Sequence, residues 1–386
     1  METDATQPRL APALTVLTLA RTVLNGARRF PYVILTPMAH ALGVPRSTLE
    51  AALSLQWATG ALSPIAGRTI ERIGRKRVML LGMGSMTLFA GIAALGFSPA
   101  LILFAIVASG LSKTLYDPAM QAYIGDNTPY RLRGLAIGVT ELSWSGALVI
   151  FAPLAAYLIV NVSLEAIFAV IAVGSAVTGV LVAVALPDDA ARPKHADPPS
   201  FVALWRSRPA LAMLAAGLLI ALASEAMTIT YEAWLLDTFL LSTAALGLLS
   251  WAISAAEVTG EGFVIAVADR FGKRRLALIS LVGTGIAYAV LPLTSGSLPA
   301  AVLALFAMFL MFEISIVVLI PMATETLPTA RGLMMTSNVA ALAFGRAIGA
   351  IAGGIMYRSS GYEINGIAGL VLNLIAALLI ARFTVE

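Results

Sequence analysis

Apolar positions in this chain do not alternate with polar ones; they run on in long blocks, and polar residues gather in short breaks between the blocks. Val78–Phe97, Ala166–Leu186, Leu276–Leu293 and Ile364–Ile380 carry no charged residue. Each is near or above the roughly 18–20 residues that a bilayer-spanning helix needs. A transmembrane β-barrel would show apolar and polar positions alternating in each strand, which these continuous Leu-, Ala- and Gly-rich runs do not. Reading each block as a helix predicts twelve spans, at Leu10–Met38, Thr48–Ala66, Val78–Phe97, Ala100–Ile124, Leu135–Val160, Leu164–Leu186, Ala210–Asp237, Ala244–Ala268, Leu276–Leu293, Pro299–Met322, Leu333–Tyr357 and Ile364–Ala381. The stretch Pro187–Pro209 holds five prolines and charges of both signs, and reads as a surface linker. The expected fold is an all-α membrane protein, with one six-helix bundle over 1–186, a linker over 187–209 and a second bundle over 210–386.

Composition narrows the class. A soluble protein has about 25% charged and 45–50% apolar residues; this chain of 386 residues has 12% and 59%, and its mean hydropathy is +0.90. There is no cysteine, so disulfides, thiol catalysis and thiolate metal sites are excluded. The two histidines, His40 and His195, fall at a predicted helix end and in the linker, so no metal site is expected. No Ser/His/Asp set or phosphate loop points to an enzyme, and no cofactor is implied.

The net charge of +4 is not a nucleic-acid footprint, because the basic residues border apolar spans. If the N-terminus is cytoplasmic, 18 of the 25 Lys and Arg fall on that side and only Arg46 and Arg358 on the other. The positive-inside rule then places both termini in the cytoplasm of a cell (inner) membrane protein, with the first span an uncleaved anchor.

The chain also repeats itself. Glu71-Arg72-Ile73-Gly74-Arg75-Lys76-Arg77 and Asp269-Arg270-Phe271-Gly272-Lys273-Arg274-Arg275 share the form acid–Arg–x–Gly–basic–basic–basic, 198 positions apart. Helix 4 runs into Asp126 and Pro129, followed by Arg133-Gly134; helix 10 runs into Glu325 and Pro328, followed by Arg331-Gly332, again at an offset of 198 between the arginines. An even number of spans per half gives both halves one orientation, related by an axis along the membrane normal.

On these residues the chain resembles the major facilitator superfamily of transporters along essentially its whole length. The family signature between helices 2 and 3 is matched by Gly67, Glu71, Arg72, Gly74, Arg75, Lys76 and Arg77, with Glu for the usual Asp. The second copy keeps Asp269, Arg270 and Gly272 but has Ile265 in place of the leading glycine. The resemblance implies a gate made by Glu71, Arg75 and Asp126 that locks the outward-facing state; the bland alternative is that these residues only set topology. Gly67, lacking a Cβ, would let a neighbouring helix come close.

Twelve ionisable residues are expected inside spans: Arg21, Arg28, Arg29, Lys113, Asp117, Glu141, Glu225, Glu232, Glu257, Glu261, Glu313 and Arg346. Each would cost about 2.5–3.5 kcal/mol facing lipid, so they are expected to face a bundle interior or an aqueous cavity. Helices 3, 6, 9 and 12 carry none and are expected on the lipid side. The N-half set sums to +2 and the C-half set to −4, and burial favours the neutral form of a carboxylic acid, which is what a proton-coupled site needs. Glu225 with Glu232, and Glu257 with Glu261, share helix faces and are candidates for proton or cation binding. Internal pairing, such as Lys113 with Asp117, Glu313 with Arg346, or Arg21 and Arg28 with Glu141, is the structural alternative. Tyr32, Tyr116, Trp144, Tyr231 and Trp234 could stack on a substrate or simply pack.

Family exporters often carry G-x-x-x-G-P-x-x-G-G in helix 5. Gly146–Ala156 keeps Pro153 and small residues but loses the later glycines. The reading is a monomeric secondary transporter in the lipid bilayer that exports a small organic or amphipathic compound, driven by inward proton flow. Its alternatives are uptake of a small organic anion drawn by Arg21, Arg28 and Arg29, movement of a charged lipid through the same cleft, and a transport-dead sensor.

Overall fold

The computed structural model describes residues 7–96, 98–129, 132–188, 201–327 and 331–384, with the side chains at 7–10, 64, 68, 71, 133–135, 201–203, 269 and 331–332 outside the description. Among the described residues every regular element is helical. In chain order these are α1 (Gln7–Arg29), α2 (Leu35–Leu42), α3 (Arg46–Ala58), α4 (Ser63–Ile73), α5 (Arg75–Ala94), α6 (Pro99–Asn127), α7 (Arg133–Asn161) and α8 (Leu164–Ala185). They continue with α9 (Phe201–Arg206), α10 (Arg208–Thr228), α11 (Tyr231–Phe239), α12 (Thr243–Phe271), α13 (Lys273–Val290), α14 (Leu298–Thr326), α15 (Arg331–Ser360) and α16 (Tyr362–Phe383).

Ten helical segments among the described residues are long and apolar enough to cross a membrane, with α10 and α11 counted as one. The first two expected spans are not among them. Both are broken: a 3₁₀ turn at Phe30–Tyr32 separates α1 from α2, and another at Thr59–Leu62 separates α3 from α4. The first break follows Arg28 and Arg29 and contains Pro31, whose ring cannot continue a helix without losing a hydrogen bond.

Local signals explain the helix starts. Ser98, Ser163, Ser207, Ser242 and Ser297 each precede a long helix, and each hydroxyl accepts a hydrogen bond from a backbone N–H of the first turn. Such caps satisfy one of the four N–H groups a helix start leaves open. Gly74 and Gly272, the equivalent glycines of the two basic loops, both sit at positive φ (91° and 82°) and link α4 to α5 and α12 to α13. With ψ of 160° and 129° this is a region that essentially only glycine enters.

The chain forms two compact units: Met1–Val44 with Leu62–His195, and Pro45–Ala61 with Ala196–Glu386. In the first, α1 packs on α7 and α8, and α5 on α6 and α8. In the second, α10 packs on α15 and α16, α13 on α14 and α16, and α12 on α14, while α3 joins this unit by lying on α15. The α10–α15 contact is made close by Gly349 and Gly353, where a Cβ would come within 2.8 Å of Glu225 Cβ and 2.5 Å of Ala226 Cα. Small residues at i, i+4 spacing let backbones approach in this way. Apolar ridges face outward on α8 (Val173, Val177, Val180, Val184) and α16 (Ile367, Val371, Leu378), two of the four helices expected to face lipid.

Candidate functional site

In the first unit, the charges expected inside spans converge where α1, α6 and α7 meet. Arg21, 5% exposed, reaches Asp117 Oδ1 at 3.4 Å and Glu141 Oε1 at 2.8 Å, and donates to the Thr140 carbonyl. Lys113 pairs with Asp117 at 2.6 Å one turn away and also donates to Asn25 Oδ1 at 2.6 Å. Asn25 in turn donates to the Ser143 hydroxyl. Arg29 donates to the Trp144 carbonyl at 2.8 Å while its guanidinium lies 4.2 Å from the centre of the Trp144 ring. Lys113 stands 5.7 Å from the same ring. Arg28 is buried in the same helix face as Arg21. Burying these charges is tolerable because they bond to one another and to backbone oxygens.

In the second unit, Glu225 is fully buried; Trp57 Nε1 donates to its Oε1 at 3.2 Å and Arg346 Nη1 to its Oε2 at 3.0 Å. Arg346 lies over the Trp57 ring at 4.3 Å and 5.6 Å from the Phe312 ring. Arg346 therefore pairs with Glu225 on α10, where the sequence suggested Glu313 as a neighbour. The stem of Glu313 instead packs against Gly260, which lies between Glu257 and Glu261 on α12. Glu257 and Glu313 are buried and Glu261 is half-buried.

A further cluster was not reached by sequence reasoning. Glu50, 2% exposed, accepts from Arg46 at 3.3 Å and from Arg358, which lies 308 positions away. Arg46 also donates to the fully buried Glu232 at 2.9 Å and to the Ile229 carbonyl. Ser54 donates to the Ala347 carbonyl, so α3 is fastened to α15 along its length. A Cβ at Gly354 would fall on the Glu50 carboxylate. The signal available in the sequence was the i, i+4 spacing of Arg46 and Glu50, together with the isolation of Arg46 and Arg358 on the side poor in cations.

At the basic loops, Arg75 pairs with Asp126 at 2.9 Å and Lys76 with Asp188 at 2.8 Å. The Lys76 hydrogen bond, and then its charge, hold the exposed Asp188 carboxyl below its ordinary range. Arg72 and Arg270 are exposed. The side chains of Glu71 and Asp269 lie outside the described residues. Gly67 does not serve a close contact here: no described atom comes within 4 Å of where its Cβ would be. Among the described residues no group of His, Cys, Asp and Glu could hold a metal ion.

Long apolar helices that bury paired charges at their contacts define a multi-pass membrane protein. A family model for the Major Facilitator Superfamily matches residues 17–231 and 213–386, and the chain belongs to that superfamily. The all-helical membrane architecture and the family expected from the sequence are thus established. The fold is similar to that of a D-xylose-proton symporter (TM-score 0.78, 16% identity, 98% of each chain). It is likewise similar to a bacterial homolog of the human lysosomal transporter Spinster in an inward-facing and occupied conformation (TM-score 0.76, 14% identity, 98% of each chain). Among curated proteins, Multidrug resistance protein 2 of Bacillus subtilis (strain 168) is 33% identical over 88 residues, which is 23% of this chain and only 22% of that relative.

Proposed function

We propose that the protein is a secondary active transporter that works by alternating access and exports a small organic or amphipathic compound in exchange for protons. The observation that carries this reading is Glu225: a carboxylate with no exposure, in a membrane-spanning helix, shared between a neutral donor, Trp57, and a cation, Arg346. A proton arriving at Glu225 would replace Arg346 as its electrostatic partner and free the guanidinium to move, which is a means of coupling proton binding to a change of packing. Glu257, Glu261 and Glu313 offer further protonatable groups in the same unit. The polar, aromatic-faced cluster around Asn25, Lys113 and Trp144 supplies hydrogen-bonding groups for a solute. Export is favoured by the short stretch shared with a multidrug resistance protein, and proton coupling by the name of the symporter of like fold. Uptake of a small organic anion is the second reading, favoured by the cations Arg21, Arg28, Arg29 and Lys113.

In this reading the protein acts as a monomer in the cell membrane, with both termini cytoplasmic and the halves joined through 187–209. Arg75 and Asp126, with Glu71, form a cytoplasmic lock. The test is transport by the purified protein in liposomes under an imposed pH gradient, against a panel of amphipathic cations, neutral compounds and organic anions. Proton movement that depends on an added compound supports the proposal; none across the panel rejects it.

A further inference from the structure

The two units repeat one ion pair and differ at the next residue. Arg75 and Lys273 are equivalent, each the first helical residue after a positive-φ glycine. Each pairs with an acid at the end of the following helix, Arg75 with Asp126 at 2.9 Å and Lys273 with Glu325 at 3.2 Å. One position on, Lys76 meets the carboxylate of Asp188 at 2.8 Å. Its counterpart Arg274 meets a neutral acceptor: Nη2 donates to the Ala381 carbonyl, and Nε is buried with no hydrogen-bond partner among the described residues.

A cavity of about 360 Å³ opens beside Arg274, within the ~300–1,000 Å³ range of small-ligand sites. It is lined by Lys273 and Arg274, by Glu325 and Thr326, and by the methionines Met213 and Met322. The start of α13 adds to its positive character. Lys273, Arg274 and Arg275 occupy the first turn with no acid among them, and Gly272 offers no side chain to cap the open N–H groups. Cations at the positive end of a helix dipole repel it and one another, whereas an anion there is favoured by both.

We propose that this cavity binds a phosphate head group, that of an acidic phospholipid. Arg274 supplies the charge that Asp188 neutralises in the other unit. The methionine lining and the location at the ends of membrane-spanning helices favour a lipid over a soluble phosphate, which shares the head-group chemistry. The site is separate from the transport reading and stands or falls without it.

The test is a titration of the full-length protein in detergent with short-chain phosphatidylglycerol, phosphatidylcholine and inorganic phosphate, read by native mass spectrometry and by thermal shift. Phosphatidylglycerol is expected to bind at one saturable site. Arg274→Gln should weaken it about tenfold, as loss of a charge-assisted hydrogen bond does. Arg275→Gln, the same charge change at an exposed neighbour, should weaken it clearly less, and Glu325→Gln, which removes the competing acid, should tighten it. Equal losses in the two arginine variants would reduce the effect to general surface charge and overturn the proposal. Displacement of the lipid by inorganic phosphate would overturn the lipid source. No saturable binding of phosphatidylglycerol by the wild type would overturn the proposal outright.

Discussion

Arg358 and Glu50, 308 positions apart in the chain, share a hydrogen-bonded ion pair in which the carboxylate is almost wholly buried and the guanidinium nearly half exposed. Arg46 completes the carboxylate's shell from one helical turn away and reaches on to Glu232. Two acids and two cations thus fasten α3 to the helices of the second unit.

Removing the carboxylate is the most damaging change to this cluster, because it takes the shared acceptor from both Arg46 and Arg358. Glu50→Ala should lower stability in detergent by about 3 kcal/mol, the lower end of what breaking a buried pair costs, since Arg358 retains some solvent. Arg46→Ala should cost more than Arg358→Ala, because Arg46 serves both Glu50 and Glu232. Thermal unfolding of the three variants gives the ranking, and equal losses for the two arginine variants would contradict it.

Glu225 and Arg346 should behave as a coupled pair. Arg346→Gln alone leaves a carboxylate buried beside Trp57 and should destabilise more than the double variant Glu225→Gln/Arg346→Gln, with a coupling of at least about 1 kcal/mol. Glu225→Gln alone should keep the fold and lose the dependence of transport on pH. An additive cycle, or an unchanged pH profile in Glu225→Gln, would remove Glu225 from the coupling site.

The Arg75–Asp126 pair should hold the neighbouring ends of α5 and α6 in one arrangement. Because the chain contains no cysteine, single cysteines introduced near either face can be labelled without background. Arg75→Ala and Asp126→Asn should each change the labelling of the two faces in opposite senses, and by similar amounts. Unaltered labelling would leave the pair a topological feature only.

The basic loop motif contains two glycines with different demands. Gly74→Ala should cost about 1–3 kcal/mol, because its φ of 91° is a conformation that side chains resist. Gly67→Ala, inside α4 and with open space around it, should not destabilise, since alanine is the better helix former. Equal melting losses for both would mean that Gly67 meets a neighbour after all.

What the sequence conveyed, and what it withheld, follows from the range of the forces involved. Spans such as Val78–Phe97 and Leu276–Leu293 were legible because a bilayer demands long apolar runs wherever they occur. Gly74 and Gly272 were legible because a backbone requirement repeats at a fixed offset. The break at Phe30–Tyr32 carried a signal in Pro31, whereas the one at Thr59–Leu62 did not stand out, since hydropathy does not register a change of helix type. Lys113 with Asp117 was legible from its spacing within one turn, Arg21 with Glu141 as one alternative for the charges on one helix face, and Arg75 with Asp126 through the family resemblance. Trp57 with Glu225 and Arg358 with Glu50 depend on which helix faces meet, and Glu50 lay too near a span end to stand out as an intramembrane charge.

We propose that buried acids of the second unit couple proton movement to transport. The decisive measurement records the internal pH of liposomes containing the wild type or Glu225→Gln while substrate is added under an imposed pH gradient. Substrate-dependent proton flux is expected in the wild type, and substrate binding without that flux in the variant. Equal flux in both, or transport by the wild type with no proton movement at all, would contradict it.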